Sequence, residues 1–111
     1  MASTAGYLVI ETRDAFASGP GGGVDALVDA LAQSGPTTVV LAQNGVLAAR
    51  RESAAAGRLS ELAQSAHVLA DDFSLRERGI RHDELIDGVA VTTMEEIVGL
   101  LVADGCKAIW H

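Results

Sequence analysis

Apolar and polar positions follow two periods along this chain. Short aliphatic and β-branched runs mark strands, and apolar residues three or four apart mark helices. Tyr7 to Thr12 reads as a buried strand. A glycine-rich loop follows, from Arg13 through Ser18-Gly19-Pro20-Gly21-Gly22-Gly23. Val24, Leu27, Val28 and Leu31 then recur at helical spacing to about Gln33, and Gly35-Pro36 ends that helix. Thr37 to Ala42 is a second strand. Between residues 45 and 66 the pattern is helical but interrupted, with pieces at Val46 to Arg51 and Arg58 to Ser65 around an Ala-rich stretch, Ser53 to Gly57. His67 to Ala70 is a third strand, and Asp72 to Arg78 a short helix closed by Gly79. Ile80 to Asp87 is polar and mixed, and Val89 to Val91 is a fourth strand. Thr93-Met94-Glu95-Glu96 is a capping box. The helix it opens is expected to bury Met94, Ile97, Val98, Leu101 and Val102 and to end at Gly105. Lys107 to Trp110 is the last strand.

Strands alternating with helices imply βαβ units. The expected fold is α/β: a three-layer sandwich of about five mainly parallel strands with helices on both faces. The 111 residues form one domain, 1–111, without internal repeats.

Composition narrows the function classes. The chain is 49% hydrophobic and carries a net charge of −7. The apolar content excludes a disordered chain. The acidic balance argues against nucleic acid, because phosphate neutralisation needs clustered Lys and Arg. The longest apolar run, about Ile97 to Ala103, falls far short of the ~20 residues of a membrane span. Met1 to Gly6 has neither the positive nor the apolar region of a signal peptide. A single cysteine, Cys106, excludes an internal disulfide framework and a paired-cysteine zinc site. A cytoplasmic location is the expectation.

Parallel sheets bind ligands beyond the carboxyl ends of their strands. That rule selects Arg13-Asp14, Gln43-Asn44, Asp71-Asp72-Phe73 and Thr92-Thr93. The glycine-rich loop fails both phosphate signatures. Gly23 is followed by Val24-Asp25 rather than Lys-Ser/Thr, and a dinucleotide fingerprint from Gly19 meets Val24 where Gly or Ala is needed. An anion nest at the helix start and a plain connection both stay open.

Asp71-Asp72 places two carboxylates together, able to split acid and base roles. Asp72 before Phe73-Ser74-Leu75 also suits a helix N-cap, which leaves Asp71 as the better functional candidate. His67, His82 and His111 show no metal spacing, so neither a metal nor a cofactor is expected. A nucleophilic Cys wants a helix N-terminus or a cation nearby. Cys106 instead follows a helix C-terminus beside Asp104, and reads as a small hydrophobe entering the last strand. No Gly-x-Ser-x-Gly motif supports a hydrolase triad.

The segment Asp71-Asp72-Phe73-Ser74-Leu75-Arg76-Glu77-Arg78-Gly79-Ile80 resembles the DsrE-like sulfur-relay family (DsrE, DsrF, TusD and relatives). There a Cys precedes a short helix of small residues and then Arg-Gly-Ile/Val. Gly88-Val89, the capped helix from Thr93, and Ala108-Ile109-Trp110 resemble the family's ending. The first strand with its loop, and Asn44-Gly45-Val46, fit too. The resemblance implies a DsrE-like α/β domain that assembles as dimers, trimers or mixed hexamers. It also implies a persulfide carried at a subunit boundary by the Cys after the third strand. Counting back from Gly79, that Cys position falls on Asp71, or on Asp72 if the loop differs by one residue. A carboxylate cannot form a persulfide.

Three readings follow. The first is a subunit without sulfur carriage, in a structural, regulatory or small-ligand-binding role. The second is an enzyme whose pocket centres on Asp71 at a subunit interface, with Arg13, Asp14, Asn44, Asp72, Phe73 and His82 as ligand-binding candidates. The third is a sulfurtransferase using Cys106. In each, the partners expected are copies of this chain or related subunits, with no membrane and no nucleic acid.

Overall fold

The apolar runs become five strands of one sheet. The computed structural model describes residues 6–14, 24–103 and 105–111. The glycine-rich loop, with its open anion-nest reading, lies outside the described residues except for Arg13 and Asp14. The elements are β1 (Tyr7–Glu11), α1 (Val24–Ser34), β2 (Thr37–Leu41), a 3-10 segment (Gln43–Ala49), α2 (Ala56–Ser65), β3 (His67–Asp71), α3 (Asp72–Glu77), a 3-10 turn (His82–Glu84), β4 (Val89–Thr92), α4 (Met94–Leu101) and β5 (Lys107–Trp110). The sheet order is β4-β3-β2-β1-β5 and all pairings are parallel. The register sets Ile10 beside Trp110 and Asp71 beside Thr92, so these residues share the carboxyl edge.

Strand side chains alternate between two faces. Val9, Val39, Leu41, Val68 and Ala70 join the larger core with Val28 of α1, Leu59 and Leu62 of α2, and Leu75 of α3. Leu8, Ile10 and Val40 join a smaller core with Ile97 of α4. Helices thus cover both faces, as the βαβ pattern required. Ile80, Leu85 and Ile86 are buried as well, in a stretch that read as polar. The isolated bridge Arg50↔Leu85 ties that stretch to the chain after β2.

The second face is covered thinly. The capping box forms as expected, with Thr93 Oγ1 accepting from Glu96 N–H and Glu96 Oε1 accepting from Thr93 N–H. Of the five residues expected to be buried, Ile97 is buried and Leu101 half-buried. Met94, Val98 and Val102 are 57%, 49% and 75% exposed, which corrects that expectation. The amphipathic period is real, but α4 packs on this face with nothing described outside it.

Two loop positions are dictated by sterics. A Cβ at Gly45 would lie 2.3 Å from the backbone oxygen of Glu11, so only glycine lets the 3-10 segment pass β1. Gly79 ends α3 at φ 66°, a left-handed conformation that favours glycine.

Candidate functional site

At the carboxyl edge β3 delivers Asp71 into the turn that starts α3. Asp71, not Asp72, is the N-cap, which corrects the sequence expectation. Its Oδ2 accepts from the Ser74 N–H at 3.0 Å and from the Ser74 hydroxyl at 2.6 Å. Ser74 Oγ in turn accepts from the Gln43 N–H at 2.8 Å, which joins α3 to the 3-10 segment. Gln43 sits at φ 51°, the only described non-glycine residue with positive φ. Such strain persists only where the surroundings impose it, and here the Ser74 bond helps to hold it.

The other oxygen is different. Asp71 is 2% exposed, and its Oδ1 has no hydrogen-bond partner among the described residues. An unpaired buried acceptor costs about 1–3 kcal/mol, so such a group asks for an explanation. Asp71 is among the residues that line a cavity of about 320 Å³ on the α4 side of the sheet edge. Ile10, Val40, Ile97 and Leu101 form its inner wall, Phe73, Met94 and Trp110 stand exposed around it, and Thr12, Gln43, Ser74 and Glu77 supply the remaining polar groups. No Lys, Arg or His is among the described residues that line it. A larger depression of about 510 Å³ lies over α2, but its polar lining side chains Asp29, Glu61, Gln64 and Ser65 are exposed.

The remaining sequence candidates lie elsewhere. Asp72 turns to the protein surface, where it meets His82 Nε2 at 2.9 Å and Arg76 Nε at 3.3 Å. Asn44 Oδ1 accepts from Arg78 Nε and Nη2 at 3.2 and 3.0 Å, which ties the end of α3 to the 3-10 segment. Arg13 and Asp14 are exposed beyond β1. Of the candidates, the structure brings only Asp71 and Phe73 together in the cavity.

Sequence reading missed a second buried acid. Glu11, fully buried at the end of β1, approaches His111 Nδ1 at 2.6 Å and accepts from the Arg13 N–H at 3.0 Å. The two side chains are 100 positions apart, and only the β1–β5 register aligns them. Cys106 is half-buried before β5, at the amino edge of the sheet beside Tyr7, Pro36 and Leu100. That is a strand length along the sheet and three strands across it from Asp71, on the order of 20 Å. Among the described residues no group of three or more His, Cys, Asp or Glu is arranged to hold a metal ion. No described helix is long and apolar enough to cross a membrane.

Comparison with known proteins agrees with the architecture. A family model described as DsrH like protein matches residues 24–105. The solved structure of MTH1491, a protein of unknown function from Methanobacterium thermoautotrophicum, superimposes with a TM-score of 0.76 at 24% identity, covering 96% of this chain and 98% of that one. The ychN protein from E. coli gives a TM-score of 0.72 at 21% identity, covering 96% of this chain and 100% of its own. None of the curated proteins searched matches the sequence.

Proposed function

The chain belongs to the DsrH-like family, and we propose that it serves there as a subunit that holds a small ligand at Asp71 instead of carrying sulfur. The single observation that carries this reading is the divided carboxylate. One oxygen is spent on the fold through Ser74, and the other is buried and unpaired, on a residue that lines an apolar cavity.

Sulfur carriage needs a thiol that a donor can reach. The family resemblance puts that thiol after the third strand, on Asp71 or Asp72 of this chain. Cys106 is at the opposite edge, in a separate small cavity, and shares no wall with Asp71. Ligand holding asks only for what the cavity has: a shaped apolar wall and one directed acceptor. Acid–base catalysis asks for a second group poised across from Asp71. The nearby Ser74 hydroxyl is already committed, and Gln43 and Glu77 are exposed to solvent.

The exposed apolar side chains around the cavity and along α4 favour an assembled state, with copies of this chain or related subunits covering Val98 and Val102. Trp110 is the chain's one tryptophan and lines the cavity, so its fluorescence tests the ligand reading. Small aromatic amines, alcohols and carboxylates are titrated separately. A saturable change in Trp110 emission with at least one class is the expected result. No saturable change with any class, from folded protein, contradicts the reading.

A further inference from the structure

We infer that the Asp71 cavity selects a small cation with an apolar body, in chemical terms a primary arylalkylamine. This rests on the ligand-holding reading above and adds the class of ligand. Three features of the cavity converge on it.

The first is the unpaired acceptor. Asp71 Oδ1 is a buried carboxyl oxygen without a donor, and the ligand must bring one. An ammonium group offers three N–H donors and no acceptor. Its hydrogen bond to a carboxylate is about twice as strong as a neutral one. The second is the sign of the lining charge. Asp71 and Glu77 are both acidic, and no cation stands among the described lining residues to compensate them. A carboxylate or phosphate ligand would meet two charges of its own sign with no cation to offset them, whereas an ammonium meets two charges of the opposite sign. The third is the wall. Phe73 and Trp110 are 58% and 67% exposed at the cavity, an unusual placement for large aromatics with no described cover. They offer stacking surface to an aromatic body and ring faces to a cation. The volume of about 320 Å³ takes a single ring with a short chain. Oδ1 itself shows almost no surface, so an ammonium that reaches it must displace a neighbouring side chain.

Ser74 makes the site directional. It fixes Oδ2 through two hydrogen bonds, so the carboxylate is prevented from turning and Oδ1 keeps one orientation. The ligand binds a prepositioned acceptor and does not have to order it.

The test compares three probes with one aromatic body: 2-phenylethylamine, 2-phenylethanol and phenylacetate. Each is titrated into the wild-type chain by calorimetry and by Trp110 emission. The expected order is amine first, tighter than the alcohol by about tenfold or more, with phenylacetate not binding. Asp71→Asn keeps an acceptor for Ser74 and the fold, checked by circular dichroism, and is expected to abolish the preference for the amine. Trp110→Ala, at an exposed edge-strand position, weakens the amine severalfold by calorimetry. Equal or tighter binding of the alcohol or phenylacetate to the wild type overturns the inference while the ligand-holding reading stands. An amine preference that survives in folded Asp71→Asn overturns it as well. Binding by none of the three overturns both. The wild-type amine-to-alcohol ratio decides the question even if Asp71→Asn fails to fold.

Discussion

Asp71 Oδ2 lies 2.6 Å from the Ser74 hydroxyl and 3.0 Å from the Ser74 N–H, so a single serine sets the direction of the carboxylate at the sheet edge. Ser74 Oγ also receives the Gln43 N–H. Ser74→Ala removes the shared hydroxyl from a residue that is 3% exposed and leaves the Gln43 N–H unpaired. A loss of about 1–3 kcal/mol is expected from urea denaturation. Asp71→Asn, which can still accept at the cap, should cost less than Asp71→Ala, for which a cap loss of about 0.5–2 kcal/mol applies. Equal stability of Asp71→Ala and wild type contradicts the capping role.

Glu11, fully buried, and His111 form a further polar contact at this edge, at 2.6 Å. Removing the imidazole with His111→Ala leaves Glu11 Oε1 without its partner inside the protein. The expected cost is about 1–3 kcal/mol by thermal denaturation at neutral pH. If the midpoint of His111→Ala is unchanged, the contact does not hold β5 to β1.

At Gly45 the backbone of Glu11 leaves no room for a methyl group, with 2.3 Å available to a Cβ. The blocking atom is a strand carbonyl and cannot rotate away. Gly45→Ala is therefore expected to cost about 1–3 kcal/mol or more, and Gly57→Ala, with open space around it, much less. Chemical denaturation of the two variants side by side distinguishes local crowding from a general glycine effect.

Val98 and Val102 stand exposed on α4 beside a face with no second helix layer described. Static light scattering at micromolar concentration should give a mass above the 11.4 kDa of one chain. Val98→Asp with Val102→Lys should lower it toward the monomer, with the helical signal retained. A wild-type monomer contradicts assembly through this face.

What could be read in the sequence was what is local. The capping box at Thr93 and Glu96 depends on residues three apart, and it formed as read. The strands showed as β-branched runs, and their alternation with helices gave the parallel sheet. At Asp71-Asp72 the sequence suggested Asp72 as the cap, and that reading depended on where β3 ended. The strand runs one residue past Ala70, so Asp71 caps and Asp72 turns outward. Helical period identified one apolar side of α4 but could not report what covers it, so Met94, Val98 and Val102 were placed inside when they are exposed. Glu11 and His111 had no local signature, because their contact exists only through strand register. Trp110, in the last strand, carried no sign that it stood at a cavity until β5 was set beside β1.

The most direct measurement is intact mass after incubation with a small-molecule persulfide donor. Wild-type protein is expected to retain no added sulfur, with slow alkylation of half-buried Cys106 at neutral pH. Stoichiometric sulfur on Cys106 of the wild-type chain would contradict a subunit that holds a ligand in place of sulfur.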